Sequence, residues 1–200
     1  MRNLNKRIYH KLNSILLPIM KKYRFGKLNN TDFTIICNNC WGGYVYRRYG
    51  LPYTSPTIGL YLFAKDFLKL CNNLEYYTNL PLTFIDYATS KWKDVLIERK
   101  QTDVPIGVLD DIEIIFLHYK TREEALEKWN RRCQRINYNN LIFKFSKMNL
   151  CGEKELEQFD NINVNKKICF VPDNQVMKGM NRKSFVIFKS EKGLNIIDDT

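Results

Sequence analysis

The residues best equipped for chemistry lie in one stretch, Asn38-Asn39-Cys40-Trp41-Gly42-Gly43, where the apolar run Thr34-Ile35-Ile36-Cys37 gives way to amides, a thiol, an indole and paired glycines. Cys40 is a candidate nucleophile, because a thiol beside an imidazole can be activated. Gly42 and Gly43 let a backbone approach a ligand closely, and the clustered N–H groups of 41–43 can hold an anion or a developing oxyanion. His118, in Phe116-Leu117-His118-Tyr119, would emerge beside Cys40 if both strands belong to one sheet, with Asp110 or Asp111 orienting its ring. That constellation would carry acyl or related group transfer onto a sugar. The same residues allow two other readings. In one, His118 is a general base toward a sugar hydroxyl in a noncovalent site. In the other, Cys40 packs, and Asn38 and Asn39 satisfy the turn backbone.

Further candidates lie nearby in sequence or along a helix. Arg131 and Arg135 are one helical turn apart and could hold a phosphate, as a nucleotide, a coenzyme A or a lipid-linked sugar diphosphate would offer. Glu127 precedes Arg131 by four, so a solvated ion-pair ladder competes with that reading. Tyr44, Tyr46, Tyr49 and Tyr53 could stack on sugar rings, and Ser55 stands with Tyr53 in a turn-rich loop as a substrate-binding candidate. Cys37-x-x-Cys40 lacks the preceding tryptophan of a redox motif, and two histidines without a second close cysteine pair do not make a zinc set. Walker, G-x-S-x-G and G-x-G-x-x-G signatures are absent. No metal is expected, and no cofactor is specified.

These residues need elements to position them. The pattern predicts a strand over Asp32–Cys37, a short helix over Tyr44–Tyr49 closed at Gly50, and an apolar helix from Ile58 to Leu70. A short strand over Leu82–Ile85 precedes a mixed segment ending near Arg99. Ile112–Leu117 is apolar almost throughout, as in a strand covered on both faces. Thr121 with Glu124 forms a capping box for a helix to Ile136. Strands follow at Leu141–Phe145, Lys167–Val171 and Ser184–Phe188, with short helices at Glu153–Phe159 and Asn174–Met180. Alternating strands and helices predict a single α/β domain, three-layered, with a mostly parallel or mixed central sheet flanked by helices.

Two hundred residues suit one domain, and at 44% hydrophobic the chain can build a core without staples. No apolar run approaches the ~20 residues needed to span a bilayer. The net charge of +11 is uneven: residues 1–30 hold eight of the 32 cations and none of the 21 acids. The rest is nearly balanced, unlike a nucleic-acid-binding domain. Within 1–30, Leu4, Ile8, Leu12, Ile15, Leu16 and Ile19 recur at helical spacing, so a basic amphipathic helix is expected ahead of an α/β domain over 31–200. Such a helix either packs on the domain or touches an anionic membrane surface, with Pro18 kinking or ending it. Six cysteines without an export signal read as reduced thiols in a cytoplasmic protein, with Cys37, Cys133 and Cys169 as core packers.

The chain after residue 30 resembles a bacterial family of exopolysaccharide or capsular polysaccharide biosynthesis proteins built on a domain of unknown function. The resemblance rests on Asn38-Asn39-Cys40-Trp41-Gly42-Gly43, Gly50 to Thr57, Pro105-Ile106-Gly107 with Asp111, Phe116-Leu117-His118-Tyr119, and Glu123-Glu124-Ala125 through Trp129 to Asn137. It implies a part in surface-glycan assembly with a sugar or glycan substrate; the basic helix adds a place at the inner face of the membrane, and the arginine pair adds a phosphorylated donor as partner. A transferase and a glycan-binding scaffold both fit that implication.

Overall fold

The computed structural model describes residues 16–172 and 185–188. The expected helix at Asn174–Met180 and the first fifteen residues of the basic segment lie outside them. Among the described residues two sheets carry the fold. β1 (Thr34–Cys37), β5 (Leu141–Ser146), β6 (Lys167–Pro172) and β7 (Phe185–Phe188) form a parallel sheet in the order β1-β5-β6-β7. β2 (Thr83–Ile85), β3 (Ile106–Leu109) and β4 (Ile112–Ile115) form an antiparallel one.

Strand periodicity divides the parallel sheet into two buried faces. On one face Ile36, Phe143, Phe145, Cys169 and Val171 pack under α3 (Ala64–Asn72) and α7 (Glu153–Asp160). Phe145 there stacks on Phe67 with ring centres 5.5 Å apart and meets Phe159 at 5.0 Å. On the other face Ile35 and Cys37 pack under Tyr46 of α2 (Trp41–Tyr49), with Ile142 against them. The protein is thus a three-layer α/β domain, as the alternation of strands and helices implies. α2 ends at Gly50, whose φ of 70° is the left-handed cap that glycine adopts without strain.

The Ile112–Leu117 strand departs from expectation. It is not a member of the parallel sheet; Leu109 pairs with Ile112 across a tight turn at Asp110-Asp111, and β3 and β4 form a hairpin. Asp110 takes φ 52°, a left-handed value that aspartate tolerates better than most residues. Its apolar character comes from cover on both faces of the hairpin: Ile112, Ile114 and Phe116 join the main core with Leu62 and Trp129, while Ile115 packs on the other side with Tyr61, Phe63 and Leu96 of α5 (Lys93–Glu98).

The helix expected from Ile58 begins only at Ala64. After a bend at Ile58-Gly59, residues 60–63 run outside any helix and join the sheets: Tyr61 and Ile115 exchange backbone hydrogen bonds of 2.9 Å, and Leu62 N–H donates to Asn38 O at 3.3 Å. A contiguous apolar run cannot be assigned to helix or strand by period alone, and here tertiary pairing decides it. α4 (Leu74–Asn79) follows α3, and α6 (Arg122–Cys133) starts at Thr121, whose Oγ1 accepts from Glu124 N–H at 3.2 Å. The helix ahead of β1, α1, covers 16–25 of the described residues.

Candidate functional site

The carboxyl edge of the parallel sheet is where the Asn38–Gly43 turn sits, as the sequence reading places it. Asn38 is fully buried, and its amide clasps the last residue of β5: Ser146 N–H donates to Oδ1 and Nδ2 donates to Ser146 O, both at 3.0 Å. The side chain thereby continues the ladder that the backbone of β1 abandons. Asn39 Oδ1 accepts from Trp41 N–H at 3.2 Å and from Lys144 Nζ at 3.0 Å. Both amides are therefore engaged within the protein. The glycines serve contact too. A Cβ on Gly42 would stand 3.0 Å from Cys37 Sγ, and one on Gly43 would stand 3.3 Å from Ile58, so the pair lets α2 lie close on β1 and on the 58–63 segment.

Beneath the turn lies a group that the sequence reading missed. Lys144, on the central strand β5, is fully buried; its Nζ donates to Ser146 Oγ at 2.5 Å and lies 5.3 Å from the Trp41 ring and 4.8 Å from the Phe170 ring. The available signal was a lysine at an alternate position of the otherwise apolar strand Leu-Ile-Phe-Lys-Phe-Ser. Such a residue either faces solvent or marks a polar site, and a doubly covered sheet excludes the first.

Cys40 and His118 flank the same 58–63 segment. Cys40, at the amino end of α2 and half-buried, lies with Sγ 3.8 Å from Leu60 O. His118 is exposed; its N–H donates to Gly59 O at 3.0 Å, and a Cβ on Gly59 would come within 3.5 Å of His118 Cβ. Next to them Tyr119 donates to Ile58 O, and Arg132 of α6 donates to the Tyr119 hydroxyl and to Ile58 O, the latter at 3.1 Å. The Arg132 guanidinium lies 5.3 Å from the Tyr53 ring. Burial pushes the Tyr119 hydroxyl above its usual pKa, against the opposing pull of Arg132, so it stays a donor.

Arg132 is only 7% exposed, and among the described residues its partners are neutral: a carbonyl, a hydroxyl and two aromatic faces. Buried cations are ordinarily matched by a carboxylate. A guanidinium held this way can receive an anionic group on its remaining N–H donors. It is the inward neighbour of the two arginines that spacing singles out.

Those two are placed elsewhere. Arg131 pairs with Glu127 at 2.6 Å on the exposed side of α6, and Arg135 is exposed beyond the end of that helix. Asp111 lies in the β3–β4 turn while His118 lies past the opposite end of β4, on the order of 15–20 Å away along the strand, so neither Asp111 nor Asp110 orients the imidazole. Asp111 instead accepts from Lys69 at 2.6 Å and from Tyr77 at 2.7 Å, and the Lys69 bond holds its carboxyl below the usual range. Ser55 is fully buried and bonded to Thr57. Thr57 Oγ1 and the Tyr46 hydroxyl accept from Cys37 N–H and Ile35 N–H, so this loop and α2 together close the free edge of β1.

On the other side of Trp41 an apolar cavity of about 680 Å³ opens along α2, lined by Phe33, Ile35, Trp41, Val45, Leu51 and Ile142 among others. No cluster of three or more His, Cys, Asp or Glu side chains able to hold a metal occurs among the described residues.

The sequence model of a family described as "Domain of unknown function (DUF1919)" matches residues 11–199. A Haemophilus influenzae protein described as "Uncharacterized protein" is 33% identical over 144 residues, 72% of this chain. The chain spans 64% of the length of that relative.

Proposed function

The chain belongs to the DUF1919 family, and from that premise we propose that it is a transferase of bacterial surface polysaccharide biosynthesis that seats a phosphorylated donor against Arg132. The observation that carries the reading is the buried Arg132 guanidinium with neutral partners, set against Tyr53, Ile58 O and Tyr119 (the neighbour of His118) alongside β1, with Cys40 at the carboxyl end of that strand. Open α/β sheets bind ligands at that end of their strands. The resemblance of Asn38–Gly43 and Phe116–Tyr119 to exopolysaccharide and capsular proteins supplies the sugar.

The arrangement favours the noncovalent chemistry. The exposed imidazole of His118 takes the proton of an acceptor sugar hydroxyl, whose oxygen bonds the transferred group as the bond to the phosphate oxygen breaks; Arg132 holds the charge that develops on the leaving phosphate. Cys40 is half-buried against Leu60 O, which favours a packing thiol over a nucleophile.

Titration with a nucleotide sugar tests this reading. Arg132→Lys should weaken donor binding at least tenfold, because a point charge cannot reproduce the planar fork. His118→Ala, an exposed change, should keep donor binding and lower turnover by about 10²-fold or more. Unchanged donor binding by a folded Arg132→Lys protein would sink the proposal. A second reading is a glycan-binding scaffold without turnover, which the exposed ring of Tyr44 and the half-buried rings of Tyr49 and Tyr53 favour as stacking surfaces. Saturable glycan binding that survives Arg132→Lys, with no donor binding by the parent, would select it.

A further inference from the structure

We propose that α1 is a membrane-docking helix that lies in the plane of an anionic bilayer surface. Over 16–25 it places Leu16, Ile19, Met20 and Tyr23 at three- and four-residue spacing, which is one side of a helix. These four side chains are 46%, 63%, 43% and 67% exposed. The helix meets the domain by another side: Lys21 is half-buried, and its Cβ lies 3.7 Å from the position of a Cβ on Gly50, at the end of α2. Leu17 and Phe25, which share the Lys21 side, are themselves 45% and 43% exposed, so the domain covers neither apolar side of the helix, whereas a helix that packs on its own domain turns its apolar stripe inward.

The charge around the stripe names the partner. Lys22 and Arg24 border it on either side, and the first thirty residues carry eight cations and no acid. In the sequence the four-residue spacing continues back through Leu12, Ile8 and Leu4, with Lys11, Arg7, Lys6 and Arg2 between. A second copy of this face would set like charges against like, a costly juxtaposition. An anionic lipid surface accepts both features: apolar side chains enter the boundary of the acyl region, and the cations meet the headgroup phosphates. No helix of the described residues is long and apolar enough to cross a membrane, so the contact is one of docking. This inference stands apart from the reaction proposed above and would survive its failure.

The test is co-sedimentation of the full chain with vesicles of pure phosphatidylcholine and with vesicles also containing phosphatidylglycerol. Binding is expected only to the mixed vesicles, weakening as salt is raised. Lys22→Glu should lower the partition coefficient by about fivefold or more, since each cation near such a surface contributes about that factor. Ile19→Ser with Tyr23→Ser should lower it at least tenfold while leaving the urea midpoint unchanged, because both positions are exposed. Equal binding of this double variant and the parent would overturn the proposal. So would equal binding of the parent to neutral vesicles, or a concentration-dependent dimer that the double substitution abolishes while no vesicle is bound.

Discussion

Asn38 illustrates how one side chain can act as a piece of backbone. Its amide supplies both the donor and the acceptor that Ser146 would otherwise find on a longer β1, and its own carbonyl receives Leu62 N–H and Asn149 Nδ2. Asn38→Ala would leave the buried Ser146 N–H without a partner, while Ser146 O keeps the Met148 N–H at 2.8 Å. An unsatisfied group of this kind costs about 1–3 kcal/mol, so a loss of roughly 2 kcal/mol in urea unfolding is expected. A loss below about 1 kcal/mol would mean that water or neighbouring groups replace the clasp. Asn39, by contrast, is tied to side chains of the site, so its substitution should disturb Lys144 before it disturbs the fold.

At the scale of elements, the hairpin β3–β4 depends on a close approach that only glycine permits. A Cβ on Gly107 would stand 2.6 Å from a ring carbon of Phe116 and 2.8 Å from Leu82 Cδ1. Gly107→Ala should therefore destabilise by about 1–3 kcal/mol, the usual cost of overpacking a dense core. Urea unfolding of this variant checks it, and Phe116→Leu in the same chain should recover part of the loss. The junction between α3 and the hairpin is polar. Buried Asp66 of α3 accepts from Lys91 Nζ at 2.7 Å, from the Trp92 indole at 2.9 Å and from Glu113 N–H at 3.2 Å. That network fixes how the antiparallel sheet sits against the helix that also covers the parallel one.

For the molecule as a whole, the cysteines set a limit at high pH. All six are free. Burial pushes the Cys133 and Cys151 thiols up to about 12 from an ordinary value near 9. Burial also raises the hydroxyls of Tyr46 and Tyr119. For an acid whose folded pKa is raised, the unfolded chain releases its proton first. The stabilisation is whole below pH ~9 and is lost as pH climbs toward 12, at up to about 1.4 kcal/mol per pH unit for each thiol. Chemical denaturation at stepped pH should show a midpoint that falls steadily above pH ~9. A flat profile there would mean that these thiols ionise normally. Alkylation of Cys133 and Cys151 should likewise keep accelerating beyond the pH at which a free thiol levels off.

The sequence by itself determined the local elements whose signals are short-range. The capping pair Thr121 and Glu124 starts α6, Gly50 closes α2, and the apolar strands of the parallel sheet read as strands because their side chains alternate between two buried faces. It also located the turn at the end of β1, since an apolar run that breaks into amides and glycines must leave the sheet there. Tertiary structure alone decided the rest. Whether Ile112–Ile115 joined the parallel sheet or a hairpin depended on which strand it met, and the path of 60–63 outside any helix came from its pairing with Ile115 and Asn38. The arginine that faces inward is Arg132 rather than Arg131, because helical spacing gives relative directions but not the side on which the domain lies. The buried placement of Lys144 follows for the same reason: a strand has two faces, and only the assembled layers show that neither meets water.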